Sequence, residues 1–357
     1  LRLSVPTNWD PALLEGLVGF PVGELYGSLA QAPVGSGRPR VALPHVDQEQ
    51  ARAHIAAVQA RGIGFNYVLN ASCMGNMEFD KAGHRALLDH LAWIDGMGVD
   101  AVTVTMPYLL RIIKHRFPRL KVKVSVIAHV NSLQMARALQ DLGADEINVD
   151  YMLNRDLRQL AAMRKALSCE LSLLVNDLCL YQCPYRQYHY NLNGHSTQKD
   201  HPLQGSFLDF CIISCTVEKL THPDQLIRAR WIRPEDLQRY QDLGFERFKL
   251  SGRNMTSAWI SRAVRAYAGR SYAGNLGDIL IPDPNGQVHY RIDNGKLDGF
   301  LDHFASRDCA ASDCATCAYC RKVAERAVTI PDPRTQRYLR SYQHLLESLV
   351  NSEPFTS

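Results

Sequence analysis

Four times in the first two thirds of the chain an amphipathic stretch ends at a glycine and a short apolar run follows. The phrases are Gln59-Ala-Arg-Gly-Ile-Gly-Phe-Asn-Tyr-Val-Leu, Ile94-Asp-Gly-Met-Gly-Val-Asp-Ala-Val-Thr-Val, Gln140-Asp-Leu-Gly-Ala-Asp-Glu-Ile-Asn-Val and Gln241-Asp-Leu-Gly-Phe-Glu-Arg-Phe-Lys-Leu. A glycine there can close a helix in the left-handed conformation, and the apolar run after it reads as a buried parallel strand. The stretches between keep the helical period. From Ser132 to Leu142, Leu133, Ala136 and Leu139 share one face and Ser132 is placed to cap the helix. Further strands are expected at Leu3 to Val5, Val22 to Tyr26, Lys121 to Ile127, Glu170 to Val175 and Ala229 to Ile232. The eight or nine strands so obtained predict a closed (β/α)8 TIM-like barrel. An open doubly wound sheet is the competing architecture, but no Gly-x-Gly-x-x-Gly follows an early strand.

Two stretches break the alternation. Residues 177–227 are rich in Tyr, His, Asn and Gln and stand where the loop after the Glu170 strand belongs, which reads as a cysteine-bearing insertion on the active face of the barrel. The barrel is therefore expected over residues 1–273. Beyond it, residues 274–357 read as a C-terminal appendage with a Cys-rich segment at 309–320 and a helix from Arg334 to Leu349.

Composition adds little until the cysteines are reached. The 357 residues are 46% hydrophobic and 21% charged, an ordinary globular balance. A net charge of +4 does not by itself announce a nucleic-acid binder. RNA is a partner the charge leaves open and does not favour. No apolar run is long enough for a membrane span, and residues 1–11 lack the pattern of a signal peptide, so a soluble, cytoplasmic protein is expected.

Of the ten cysteines, eight fall in two groups, a pattern that speaks for metal binding rather than disulfides. Cys179, Cys183, Cys211 and Cys215 form two C-x3-C pairs within the insertion. Four thiolates suit a 4Fe-4S cluster or tetrahedral zinc, and the wide pairs lean towards iron and sulfur. Cys309, Cys314, Cys317 and Cys320 are a second candidate set, for another iron-sulfur cluster or structural zinc. A radical S-adenosylmethionine signature would need a third cysteine where Arg186 stands. Cys73 and Cys169 lie at or beside strands and read as packing residues.

Glu170-Leu-Ser-Leu-Leu-Val-Asn-Asp-Leu-Cys179, the Cys183, Cys211 and Cys215 positions, and the run from Arg233-Pro-Glu-Asp-Leu to Phe248-Lys-Leu-Ser-Gly-Arg253 carry a resemblance. The chain resembles the collagenase-like peptidases of unassigned catalytic type, family thirty-two, over most of Leu1 to Tyr272. The resemblance implies a barrel whose four cysteines hold a 4Fe-4S cluster. It also implies either a peptidase or an oxygen-independent hydroxylase, since members hydroxylate transfer RNA, ribosomal RNA or the ubiquinone ring, the RNA-directed ones with prephenate as oxygen source. The first Cys pair here is closer than the usual family spacing, and Cys-Pro-Tyr-Arg-Gln-Tyr-His follows it.

In a barrel, catalytic groups gather at the C-terminal ends of strands, which here carry Asn70, His129, Asn148, Asp150, Asn176 and Arg253. Arg186, Tyr188 and His189 follow the first Cys pair, within reach of anything bound over it, and Tyr181, Tyr185, Tyr188 and Tyr190 are placed to roof it. The expected protein is an iron-sulfur oxidoreductase, a hydroxylase of a small aromatic or carboxylated molecule served by an electron-donor protein. Arg186 and Arg253 would anchor carboxylates, and Asp150 or His129 would move protons. A peptidase is the alternative, although no Gly-x-Ser-x-Gly elbow or His-Glu-x-x-His helix is present.

Overall fold

A computed structural model describes residues 1–199, 201–202, 205, 207–282, 289–330 and 333–351. Parts of the expected insertion (200, 203, 204 and 206) and appendage (283–288, 331–332 and 352–357) lie outside the described residues. Eight strands form one closed parallel barrel in sequence order. They are β1 Arg2–Pro6, β2 Val22–Gly27, β3 Gly64–Leu69, β4 Ala101–Val104, β5 Lys121–Val124, β6 Glu146–Val149, β7 Glu170–Leu174 and β8 Arg247–Lys249. The ring closes where Leu3 of β1 pairs with Phe248 of β8.

The helices form as the periodicity predicts. Leu133–Asp141 is capped by Ser132, whose hydroxyl accepts the Met135 amide, and it buries Ala136 and Leu139. Gly98 and Gly143 carry φ of 73° and 103°, a backbone that residues with a Cβ rarely adopt, so each turns a helix end into the next strand.

The two faces of the strands do different work. Leu3, Leu25, Phe65, Val102, Val122, Ile147, Leu171 and Phe248 face the helices and belong to one continuous core, each contributing on the order of 2 kcal/mol through burial. The other face fills the barrel interior with polar groups. Lys123 Nζ on β5 lies 2.6 Å from Glu24 Oε2 on β2 and 2.7 Å from Glu146 Oε2 on β6. Ser4 donates to Glu24 at 2.6 Å, Thr103 to Asn66 at 2.9 Å and Asn148 to Ser172 at 2.9 Å. Because the Glu24 to Lys123 contact joins strands three apart, it spans the interior and ties opposite walls together.

Two strand expectations are corrected. Ala229 to Ile232 is not a strand; the carbonyls of Ala229 and Arg230 accept from Arg155 and Asn154 instead of a neighbouring strand, and only the Ile232 amide reaches Val175. The expected Lys121 to Ile127 strand ends at Val124, where the Ser125 hydroxyl accepts the Ile127 amide and starts a 3-10 turn at Val126–Ala128. Cys169 packs into the core, and the Cys73 thiol accepts the Gly75 amide.

Residues after 273 pack on the barrel and share its core through Leu276, Ile279, Phe300 and Val323. The Ile281 amide donates to the Asn176 carbonyl at 3.0 Å. The terminal helix, Pro333–Asn351, lies against the helix Phe210–Thr221 of the segment between β7 and β8. Among the described residues no helix is long and apolar enough to cross a membrane.

Candidate active site

The strand ends and the segment after β7 enclose a cleft with ≈ 1130 Å³ of empty space, open to solvent, at the C-terminal mouth of the barrel. Cys179, Cys183, Cys211 and Cys215 all line it. Cys211 and Cys215 are one helical turn apart on Phe210–Thr221, hence on one face, and Asp209 caps that helix by accepting the Ile212 amide. Cys179 and Cys183 sit in the loop before the helix Arg186–Thr197, where Gln182 turns the chain with a left-handed φ of 53°. His189 Nε2 stands 3.1 Å from Asp209 Oδ2 and fastens the two helices to each other.

Burial pushes the Cys179 and Cys211 thiols up to about 12, with Asp177 and Asp209 adding to it respectively, and raises Cys183 in the same direction. As free thiols these are protonated, weak nucleophiles, and a metal group would displace their protons on binding. Among the described residues, no three His, Cys, Asp or Glu side chains converge tightly enough for a single metal ion. One tetrahedral zinc needs its sulfurs roughly 4 Å apart, whereas a four-iron cluster is bulkier and accepts thiolates spread around a wider space. Four thiols lining one cleft are a donor set that suits either a single metal ion or a cluster.

The rest of the cleft is cationic. Arg38, Lys219, Lys249 and Arg253 line it, against one carboxylate, Asp177. Arg253 is buried and, among the described residues, its hydrogen-bond partners are hydroxyls, Ser28 at 2.7 Å and Ser36 at 3.4 Å; burial lowers its guanidinium to about 10. Lys249 Nζ stands 4.0 Å from the Tyr26 ring centre and is lowered to about 8, by burial first. A buried guanidinium without a carboxylate is costly unless an anion joins it.

The other sequence candidates fall behind this surface. Arg186 lines the cleft, but its Nη2 is 2.7 Å from Asp150 Oδ1. Asp150 is buried and caps the turn Tyr151–Leu153 through the Met152 amide. Burial would raise its carboxyl; His129 and Arg186 outweigh that and hold it below the usual range. His129 Nδ1 lies 3.7 Å from Asp150 Oδ2, on a left-handed backbone with φ 53°. Asn176 is enclosed, donating to the carbonyls of Ser251 and Ile279 and accepting the Ser251 amide, so it joins the ends of β7 and β8. Asn148 lies in the barrel interior, while Asn70 lines the cleft and donates to Ser125 at 3.0 Å. Of the four tyrosines, Tyr185 and Tyr190 line the cleft, Tyr188 is more than half exposed and Tyr181 faces a second cavity. Arg38, Lys249 and the interior Glu24, Lys123 and Glu146 were missed. The alternation in Lys121-Val-Lys-Val and Glu146-Ile-Asn-Val was the available signal, since a strand with one polar face lines an interior that is not apolar.

Cys309, Cys314, Cys317 and Cys320 line that second cavity, whose ≈ 450 Å³ of empty space includes open solvent.

Residues 40–271 match the model of peptidase family U32. The chain is 31% identical over 301 residues to MJ1657 of Methanocaldococcus jannaschii, an uncharacterized protease, covering 83% of this chain and 86% of that one. Its fold is similar to that of the U32 peptidase Mk0906, with a TM-score of 0.51 at 21% identity over 70% of this chain and 92% of that one.

Proposed function

The chain belongs to peptidase family U32, and from that membership we propose that it is an iron-sulfur oxidoreductase of the hydroxylase type, acting on a small carboxylated molecule. One observation carries this reading: four thiols share a cleft with five lysine and arginine side chains, among them Arg253, buried with no carboxylate in hydrogen-bond reach among the described residues. In it, Cys179, Cys183, Cys211 and Cys215 hold a 4Fe-4S cluster, which supplies one-electron chemistry when bound.

The protein's own groups have separate tasks. Arg253, with Arg38 beside it, receives the substrate carboxylate through paired hydrogen bonds. Lys249, lowered to about 8 by burial, is placed to give a proton to or take one from a substrate oxygen near neutral pH. Arg186 and Asp150 hold each other, and with His129 they fix the loop that carries Cys183. Tyr185 and Tyr190 narrow access of water. An electron-donor protein completes the cycle.

A peptidase is the second reading, favoured by the family's name and by the pair His189 and Asp209 beside Cys183 and Cys211, an arrangement suited to thiol hydrolysis. The raised thiols weigh against it. Anaerobic purification with iron, sulfide and zinc analysis, an absorption spectrum and a peptide-library assay separates the two. The oxidoreductase reading expects a brown protein with about four irons bound by this quartet, losing them in Cys179→Ser and silent on peptides. A colourless protein that cleaves peptides without metal overturns it.

A further inference from the structure

Tyr181 lies between Cys179 and Cys183 in the chain, yet its side chain lines the other cavity, beside Cys309, Cys314, Cys317 and Cys320. The fold brings that second quartet together in a definite way. Cys314–Cys317 is a single helical turn capped by Asp313, and Ala318 follows with a left-handed φ of 52°. That reversal starts the helix Tyr319–Ala327, so Cys320 in its first turn returns to the cavity that Cys314 and Cys317 already line. An alanine in this conformation is uncommon.

Two buried arginines, Arg155 and Arg230, stand behind the thiols, and neither has a carboxylate partner among the described residues. Arg155 gives its hydrogen bonds to the carbonyls of Ile227 and Ala229 and lies 4.6 Å from the Phe300 ring centre. The Arg230 guanidinium sits 3.7 Å over the Tyr181 ring, and its Nε has no hydrogen-bond partner. Buried positive charge beside four thiols suits a group that is negative once the thiolates bind it. The thiols themselves are half-buried, near enough to the surface for a protein carrier to approach.

We propose that Cys309, Cys314, Cys317 and Cys320 hold a second iron-sulfur cluster, and that Tyr181 with Arg230 is the contact through which electrons pass from it to the first quartet. A reduced one-electron carrier protein gives up one electron and is oxidised; the second cluster takes that electron and releases it to the first; no bond is made or broken. At two residues from both Cys179 and Cys183, Tyr181 has its Cα within about 7 Å of either along the chain. The relay half rests on the proposed function, and the second site does not.

The full chain is purified anaerobically and its iron, sulfide and zinc are counted, alone and as Cys314→Ser/Cys317→Ser and Cys179→Ser/Cys183→Ser. The wild type should hold about eight irons and each double variant about four. Electron paramagnetic resonance of the reduced wild type should show two interacting clusters, and each variant one isolated signal. A wild type with about four irons, unchanged in Cys314→Ser/Cys317→Ser, overturns the second site, as does zinc in place of iron there. If instead Cys179→Ser/Cys183→Ser keeps every iron the wild type has, the proposed function fails while the second cluster stands. The wild-type count decides between one cluster and two, and either double variant alone says which quartet holds a single one, so one variant that does not fold leaves the test intact. For the relay, Tyr181→Leu should keep the full iron count while a reduced ferredoxin reduces the first cluster severalfold more slowly. An unchanged rate overturns the relay.

Discussion

Arg186 Nη2 and Asp150 Oδ1 stand 2.7 Å apart, both side chains nearly closed off from solvent, at the helix start and the strand end that flank the thiol cleft. Of the two arginines that the sequence offered as substrate anchors, Arg186 thus already has a carboxylate, supplied by the protein. Arg253 has serine hydroxyls beside it and, among the described residues, no carboxylate within hydrogen-bond reach. The two arginines should therefore respond in opposite ways to replacement.

Arg186→Gln leaves Asp150 buried without its cation, and losing one partner of a buried pair costs about 3–5 kcal/mol. Urea unfolding should show that loss. The folded Asp150 carboxyl is held below its unfolded value, so its contribution is present above the unfolded pKa of about 4 and disappears as pH falls below that. The stability gap between wild type and Asp150→Asn should accordingly close on acidification. A gap constant from pH 7 to pH 3, on the order of experimental error, would show that the pair is not ionic.

Arg253→Met removes a buried charge that has only hydroxyl partners among the described residues, so unfolding stability should stay level or rise. Binding of a small dicarboxylate, measured by calorimetry on the anaerobically purified protein, should weaken by about 2 kcal/mol or roughly thirtyfold. Equal affinity in the two proteins would remove Arg253 from the substrate site.

Lys249 is lowered to about 8 by burial, with Lys123 and Arg253 pressing the same way against Glu24 and Glu146. An unfolded lysine titrates near 10.4. Between about pH 8 and that value the unfolded chain holds more protons than the folded one, so this group's contribution rises with pH across that window and is level below it. Lys249→Met should flatten that part of the stability profile relative to wild type. Parallel profiles in urea melts from pH 7 to about 10 would contradict the lowered pKa.

Lys123→Met takes from Glu24 and Glu146 their shared close cation and leaves Glu146 only Arg247 at 3.9 Å, at a cost of up to about 3–5 kcal/mol. Replacing all three by apolar residues of similar volume should recover most of that loss. Thermal melts of the single and triple variants decide it; a neutral single variant would mean that water already screens the interior.

The barrel was legible in the sequence because its signals are local. A glycine after an amphipathic stretch and a cap such as Ser132 act within one or two turns, and seven of the nine expected strands need only modest changes at their ends. Ala229 to Ile232 has the composition of a strand, but Arg155 and Asn154, which take its carbonyls, are more than seventy positions away. No local pattern reports a competitor at that distance.

Sequence by itself determined the fold class and which thiols travel together, since strand order follows from period and glycine placement, and a C-x3-C pair on a helix shares a face whatever surrounds it. Tertiary structure alone decided charge. Whether Arg186, Arg253 or Lys249 meets a carboxylate depends on which strand end closes beside it. The electrostatics of a buried group are set by neighbours within a few ångströms, and the chain brings those neighbours from positions as far apart as Ser28 and Arg253.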